Sequence, residues 1–264
     1  MNSLRIGCVK YLNARPLIHG WKGEVLLDHP SALCARLARG DLDVALVSSF
    51  EFLRNPIYWI VDCVSISSDG PVYSVVVAHQ GEISDIEEIE LDPAAETSGN
   101  LLRCLLGELN LDPRLLSWHR RPADDLRKHR QDADATMARL LIGDQAIRFR
   151  QKYENEFRFF DLGENWKKLT GLPFVYALWL IRPEVVDPKS IADELRALRD
   201  KNLSAIENVI GDQQEFDPAF CDRYFCKHLR FNFEEREKKG LEAFAKLCQK
   251  HALLPKRKVA FSVV

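Results

Sequence analysis

Short apolar strands, each followed by a predicted helix, recur along this chain at residues 4–9, 44–47 and 138–142. A nearly continuous apolar run of this length is typical of a parallel strand that is covered on both faces. The same order of acidic residue, apolar strand, polar end and helix occurs early in the chain and again after its midpoint. This repetition predicts an α/β fold of two similarly built lobes with a cleft between them.

Small polar residues stand where these strands end. The first strand opens into a turn that carries Asn13 and Arg15, the second ends on Ser48, and the third runs into Gly143 and Asp144. In open α/β sheets, ligands bind outside the carboxyl ends of the strands. We therefore expect these five residues to face one crevice, although Asn13 could also only close a turn and Arg15 only face water.

Four further residues place hydroxyl groups at or near element ends. Thr97 or Ser98 can cap a helix with a leucine-rich face, and a helix N-terminus can hold a carboxylate. Capping alone would also explain both hydroxyls. Ser74 lies just inside a predicted strand, 72–78, and Thr170 precedes a glycine turn.

Composition restricts the class of protein. The 264 residues carry a formal net charge of −2, which is not the basic field that nucleic-acid binding needs. No apolar run is long enough for a membrane span, and the N-terminus has no leader-like segment, so we expect a cytoplasmic protein. Seven scattered cysteines suit buried thiols in a reducing compartment better than disulfides. Nothing in the sequence indicates an oligomeric state.

Familiar cofactor and catalytic motifs are absent. The sequence contains no GxGxxG, GxxxxGK[ST], HExxH or GxSxG pattern, and its seven histidines do not cluster. The residues alone therefore predict a two-lobed binder of a small molecule, or an enzyme without metal or cofactor.

Four motifs, in order along nearly the whole chain, carry a family resemblance. They are Tyr11-Leu12-Asn13-Ala14-Arg15-Pro16-Leu17, Asp69-Gly70-Pro71-Val72-Tyr73-Ser74, Leu141-Ile142-Gly143-Asp144, and Asp161-Leu162-Gly163 continuing through Trp166 to Thr170-Gly171-Leu172-Pro173-Phe174-Val175. Together they resemble the chorismate dehydratases of the futalosine route to menaquinone. The resemblance implies the fold of the type II periplasmic binding proteins. Lobe I would then comprise residues 1–80 plus 176–264 and lobe II residues 81–175, with 72–78 and 174–181 as the crossover strands.

The resemblance also implies an activity, which is the loss of water from chorismate without a cofactor. Thr97 and Ser98 would hold one carboxylate, while Asn13 and Ser74 would orient the reacting groups. The substrate's own enolpyruvyl carboxylate would act as the base, with Asp144 as the rival. Asp144 could instead only bind substrate, and the further residues expected to bind substrate are Arg15, Ser48, Gly143 and Thr170.

Two other functions stay open. The sister family, which makes dihydroxynaphthoate later in the same pathway, shares the fold but begins with a Ser-Pro-Cys-Pro-Asn-Asp type of loop. The Tyr-Leu-Asn-Ala-Arg-Pro loop here favours the dehydratase. A solute-binding protein without activity would normally be secreted, and this sequence has no signal segment.

Overall fold

A computed structural model describes residues 4–92, 95–117 and 137–264 of the protein. Its strands are Ile6–Val9 (β1), Val25–Asp28 (β2), Val44–Ser48 (β3), Trp59–Ser68 (β4), Val75–His79 (β5), Glu88–Leu91 (β6), Arg114–Ser117 (β7), Met137–Ile142 (β8), Arg158–Asp161 (β9) and Phe174–Ile181 (β10). Its α-helices are Arg15–Ile18 (α1), Pro30–Arg39 (α2), Ser49–Arg54 (α3), Glu96–Glu108 (α4), Gly143–Tyr153 (α5), Leu162–Thr170 (α6), Pro188–Ser204 (α7), Ile206–Gly211 (α8), Pro218–Arg223 (α9) and Glu235–Lys250 (α10).

The strands form two five-stranded sheets of the same design. The first sheet has the order β2-β1-β3-β10-β4 and the second β7-β6-β8-β5-β9. In each sheet the first three strands are parallel and the fourth is antiparallel to both of its neighbours. This repetition confirms the predicted α/β fold with two units built alike.

The chain changes sheets in segments that lie outside the strands. It leaves the first sheet after β4, enters the second at β5, and returns after β9 through α6 to β10. Each crossing leads directly into one of the two predicted crossover strands, β5 and β10, and each of these strands pairs within one sheet. The first begins only at Val75 because Tyr73, with φ of 69°, has left the extended region. The lobe boundaries at 80 and 176 stay a prediction, although β5 pairs in the second sheet.

Strand β10 lies inside the first sheet, between β3 and β4, and all eight of its residues are buried. Helix α10 packs against this strand, with Phe244 contacting Phe174 at a ring-centroid distance of 4.9 Å. A Cβ atom at Gly240 would lie 2.1 Å from the Pro173 oxygen, so only glycine allows the helix to approach this closely. None of the helices in the described ranges is long and apolar enough to cross a bilayer.

Candidate active site

A cavity with about 570 Å³ of empty space, part of it open to solvent, lies between elements of the two sheets. The first sheet contributes the ends of β1 and β3 together with parts of β4 and β10. The second sheet contributes the start of β5 and the end of β8, and the first turn of α4 completes the wall. The lining residues are Val9, Tyr11, Asn13, Pro30, Ser48, Ile66, Val72, Val75, Ala95, Glu96, Thr97, Ser98, Ile142, Gly143, Tyr176 and Ala177.

Five of the predicted site residues meet in this wall: Asn13, Ser48, Thr97, Ser98 and Gly143. Their elements are far apart in sequence, and the parallel strands bring their carboxyl ends to one side of each sheet. A mostly apolar cavity with a few convergent polar groups is the usual form of a small-molecule site.

Thr97 connects the end of β3 to the start of α4. Its hydroxyl is hydrogen-bonded to the Ser48 hydroxyl and accepts a hydrogen bond from the Phe50 N–H group at 3.2 Å. The prediction that Thr97 or Ser98 caps this helix is wrong, because the helix begins at Glu96 with Ala95 as its N-cap. Both hydroxyls therefore lie inside the first turn. Because the N–H groups of a first turn have no partner within the helix, this turn suits a carboxylate.

Ser74 is fully buried and is not among the lining residues. Tyr224 connects it to Asn13: the phenol donates to Ser74 Oγ at 2.6 Å, and the Asn13 side chain lies close enough to the same phenol to oppose the rise in its pKa that burial causes. The structure thus brings together the two residues that were predicted to carry the chemistry, through a third residue that sequence reasoning missed. Tyr224 stands in an aromatic stretch, but nothing local in the sequence indicated that it would reach this site.

Gly143 is required where α5 begins. Its φ of 57° is left-handed, and a Cβ atom there would lie 2.7 Å from Cγ of Tyr11. The Tyr11 ring therefore covers this glycine and forms part of the cavity wall, which the sequence analysis did not predict. The Tyr11 hydroxyl lies 3.2 Å from Nδ1 of His29.

Three predicted binding residues lie outside the cavity wall. Asp144 accepts a hydrogen bond from the Leu12 N–H group at 2.8 Å, and burial raises the pKa of its carboxyl group. Arg15 is close enough to oppose that rise electrostatically, but it does not line the cavity. Thr170 ends α6, where its hydroxyl donates to the Trp166 oxygen at 2.9 Å and accepts from the Leu172 N–H group at 3.1 Å.

One group of side chains in the described ranges has the composition of a metal site. Cys34, Glu51 and Glu96 each place a potential ligand atom within 4.8 Å of the others. The Arg54 guanidinium forms ion pairs with both carboxylates and so offsets one of their two negative charges. Burial raises the pKa of Glu96 despite this partner. An arginine in this position suits a structural ion-pair network better than a bound cation.

Comparison with known proteins identifies the family of this chain. A family model described as menaquinone biosynthesis matches residues 4–250. The chain belongs to this menaquinone biosynthesis family. Family relatives include the chorismate dehydratase of Thermus thermophilus, which is 29% identical over 91% of this chain and 93% of its own length. The chorismate dehydratase of Campylobacter jejuni is 25% identical over 90% of this chain and 91% of its own length.

The fold of this family member is that of the periplasmic binding proteins. The periplasmic aliphatic sulphonate binding protein SsuA from Escherichia coli superposes with a TM-score of 0.65, covering 97% of this chain and 89% of that protein at 15% identity. This likeness concerns the fold alone, and it confirms the predicted two-lobed architecture.

Proposed function

We propose that this protein is a chorismate dehydratase, a cofactor-independent lyase that converts chorismate to 3-[(1-carboxyvinyl)oxy]benzoate and water. The observation that carries the proposal is the convergence of Asn13, Thr97 and Ser98 on one cavity between the sheets, in a member of the menaquinone biosynthesis family. Cytoplasmic location stays a prediction.

The cavity suits a dianion with an apolar ring. The first turn of α4 presents its N–H groups and the Ser98 hydroxyl to one carboxylate. The walls formed by Val72, Val75 and Ile142 pack against the ring. Closure of the cavity around the substrate would exclude water from the reacting carbons.

The reaction removes a proton from the carbon that bears the ether and a hydroxyl group from its neighbour. The two electrons of the broken C–H bond complete the aromatic ring, and the hydroxyl leaves as water. Because aromatisation drives the step, the protein has mainly to position the reacting groups. Asn13, in the cavity wall, is placed to hold the ring hydroxyl, and Ser74 acts behind it.

The place of Asp144 favours the substrate's own carboxylate as the base. A general base must come within hydrogen-bond reach of the proton that it removes. Asp144 is bound to the Leu12 backbone and lies outside the cavity wall, and Glu96 in that wall is paired with Arg54. The enolpyruvyl carboxylate is attached through the ether oxygen to the carbon that loses the proton.

Incubation with chorismate tests the proposal. We expect its diene absorbance to be replaced by that of an aromatic product lighter by one water molecule in mass spectrometry. Replacement of Asn13 or Ser74 by alanine should reduce turnover far more than it reduces the melting temperature. Binding of chorismate without conversion would instead support a solute-binding protein. Conversion of only the sister enzyme's substrate would support the dihydroxynaphthoate synthase.

A further inference from the structure

Tyr224 has a fixed position behind the cavity. Its side chain is fully buried and begins a π-helical turn, Tyr224–His228, directly after α9. The ring stacks on Phe220 with a centroid distance of 5.6 Å and an interplanar angle of 12°. A further ring contact joins it to Phe225 at 5.9 Å. The phenol oxygen therefore stands at a point that packing defines.

The hydrogen bonds of this phenol have a defined direction. Its single proton is donated to Ser74 Oγ at 2.6 Å. Burial raises the pKa of this phenol and the neighbouring Asn13 side chain opposes the rise, as an N–H group that donates to the oxygen does, so the NH₂ group of the Asn13 amide faces Tyr224. Ser74 is itself held by the backbone, because its N–H group donates to the Val72 oxygen and its carbonyl accepts from the Gly143 N–H group, both at 2.8 Å.

This direction determines which end of the Asn13 amide is left for a ligand. With the NH₂ group on Tyr224, Oδ1 is the remaining polar atom. Oδ1 is buried and has no hydrogen-bond partner among the described residues, and Asn13 lines the cavity. A buried amide oxygen of this kind needs a donor, since unpartnered buried polar atoms are rare in native proteins.

We propose that Tyr224 is a positioning residue, which orients the Asn13 amide so that Oδ1 accepts a hydrogen bond from the ring hydroxyl of the substrate. The inference rests on the proposed function for the identity of that hydroxyl. In this arrangement the side chains of Ser74 and Tyr224 together fix the orientation of the Asn13 amide. Without the phenol oxygen, the amide can turn over and present its NH₂ group to the cavity, where it repels a donor.

Tyr224→Phe removes only the oxygen and keeps the stacked ring. We expect kcat for chorismate to fall at least tenfold while KM changes less than threefold, because the carboxylate contacts on α4 are untouched. The matched control is Tyr153→Phe, which removes a hydroxyl from another buried tyrosine, at the far end of α5, and should leave both constants unchanged.

A double variant separates positioning from a general loss of stability. If Tyr224 acts through Asn13, Tyr224→Phe should have no further effect on kcat in an Asn13→Ala background, whereas independent effects would multiply. A kcat of Tyr224→Phe equal to that of the wild type, or a full tenfold further loss in the double variant, would overturn the proposal.

A second measurement does not depend on turnover. The Asn13 side-chain NH₂ resonances, identified by their loss in Asn13→Ala, should shift strongly in Tyr224→Phe and stay in place in Tyr153→Phe. If the wild type does not convert chorismate, the proposed function fails, but these resonances still decide whether Tyr224 holds the amide. Unchanged resonances in Tyr224→Phe would overturn the positioning role.

Discussion

Asp161 holds the segment through which the chain passes from the first sheet to the second. Its carboxylate, 2% exposed, accepts hydrogen bonds from the N–H groups of Val72 at 3.1 Å and Tyr73 at 2.9 Å. It also caps α6 by accepting from the Glu164 N–H group at 3.0 Å. One side chain therefore fixes both the strained residue Tyr73 and the start of a helix.

The loss expected on truncation follows from these three bonds. Removing an N-cap costs about 1 kcal/mol, and each backbone N–H group left without its partner costs about 1–3 kcal/mol, so Asp161→Ala should lower the free energy of unfolding by about 3–7 kcal/mol. In Asp161→Asn, the amide oxygen can replace Oδ1, which serves Val72 and Glu164. The NH₂ group then faces the Tyr73 N–H group, and we expect a loss of about 1–3 kcal/mol.

Urea unfolding followed by circular dichroism measures these differences. The matched control is Asp187→Ala, because Asp187 is exposed and caps α7 through a single bond of 3.0 Å to the Ser190 N–H group. It should lose only about 1 kcal/mol. Equal losses for Asp161→Ala and Asp187→Ala would refute the conclusion that Asp161 holds the crossing segment.

Three further changes test the site. Gly143→Ala should lower the free energy of unfolding by about 2–5 kcal/mol, because a left-handed alanine and a contact with Tyr11 are both unfavourable; a melting temperature equal to that of the wild type would contradict this. Burial raises the pKa of Asp144 above 3.8, so the wild type loses stability as the pH rises through that raised value. Asp144→Asn keeps an oxygen for the Leu12 N–H group, so it should gain stability relative to the wild type between pH 4 and pH 7 in urea unfolding, and it should retain turnover. A pH-independent difference would argue against the buried charge, and lost turnover would restore Asp144 as the base. Thr170→Ala should lose about 0.5–1.5 kcal/mol with kcat and KM unchanged, because in the part of the chain that the structure describes its hydroxyl bonds only to the end of α6 and the turn that follows; a tenfold rise in KM would show that Thr170 contacts substrate.

The strands and their polar ends could be predicted because their signal is local. Residue type alone predicts the apolar strand that ends at Ser48 and the apolar strand that ends at Ile142, before Gly143. The ends of both strands line the cavity. The same local reasoning failed at Thr97. Its hydroxyl is drawn to Ser48 and to the Phe50 backbone, so tertiary contacts override the capping preference.

Tyr224 and Asp161 show what the sequence does not reveal. The bond from Tyr224 to Ser74 joins residues 150 positions apart, and no hydrophobic period or spacing encodes such a contact. The role of Asp161 is similarly hidden, because capping explains only one of its three bonds. The role of Asp144 is ambiguous in the sequence, since a carboxyl group at a strand end can serve either as a base or as an acceptor for a backbone N–H group.

The place of β10 between β3 and β4 has a consequence for the order of assembly. The second sheet is contiguous from β5 to β9, whereas β3 and β4 of the first sheet are joined only through a strand made more than a hundred residues after β4. During synthesis, the later sheet can therefore be completed while the earlier one still has a gap between β3 and its edge strand β4. Until that gap is filled, two apolar edges are open to pairing with other chains, and a chaperone that shields them would have its greatest effect on nascent chains that stop before residue 174.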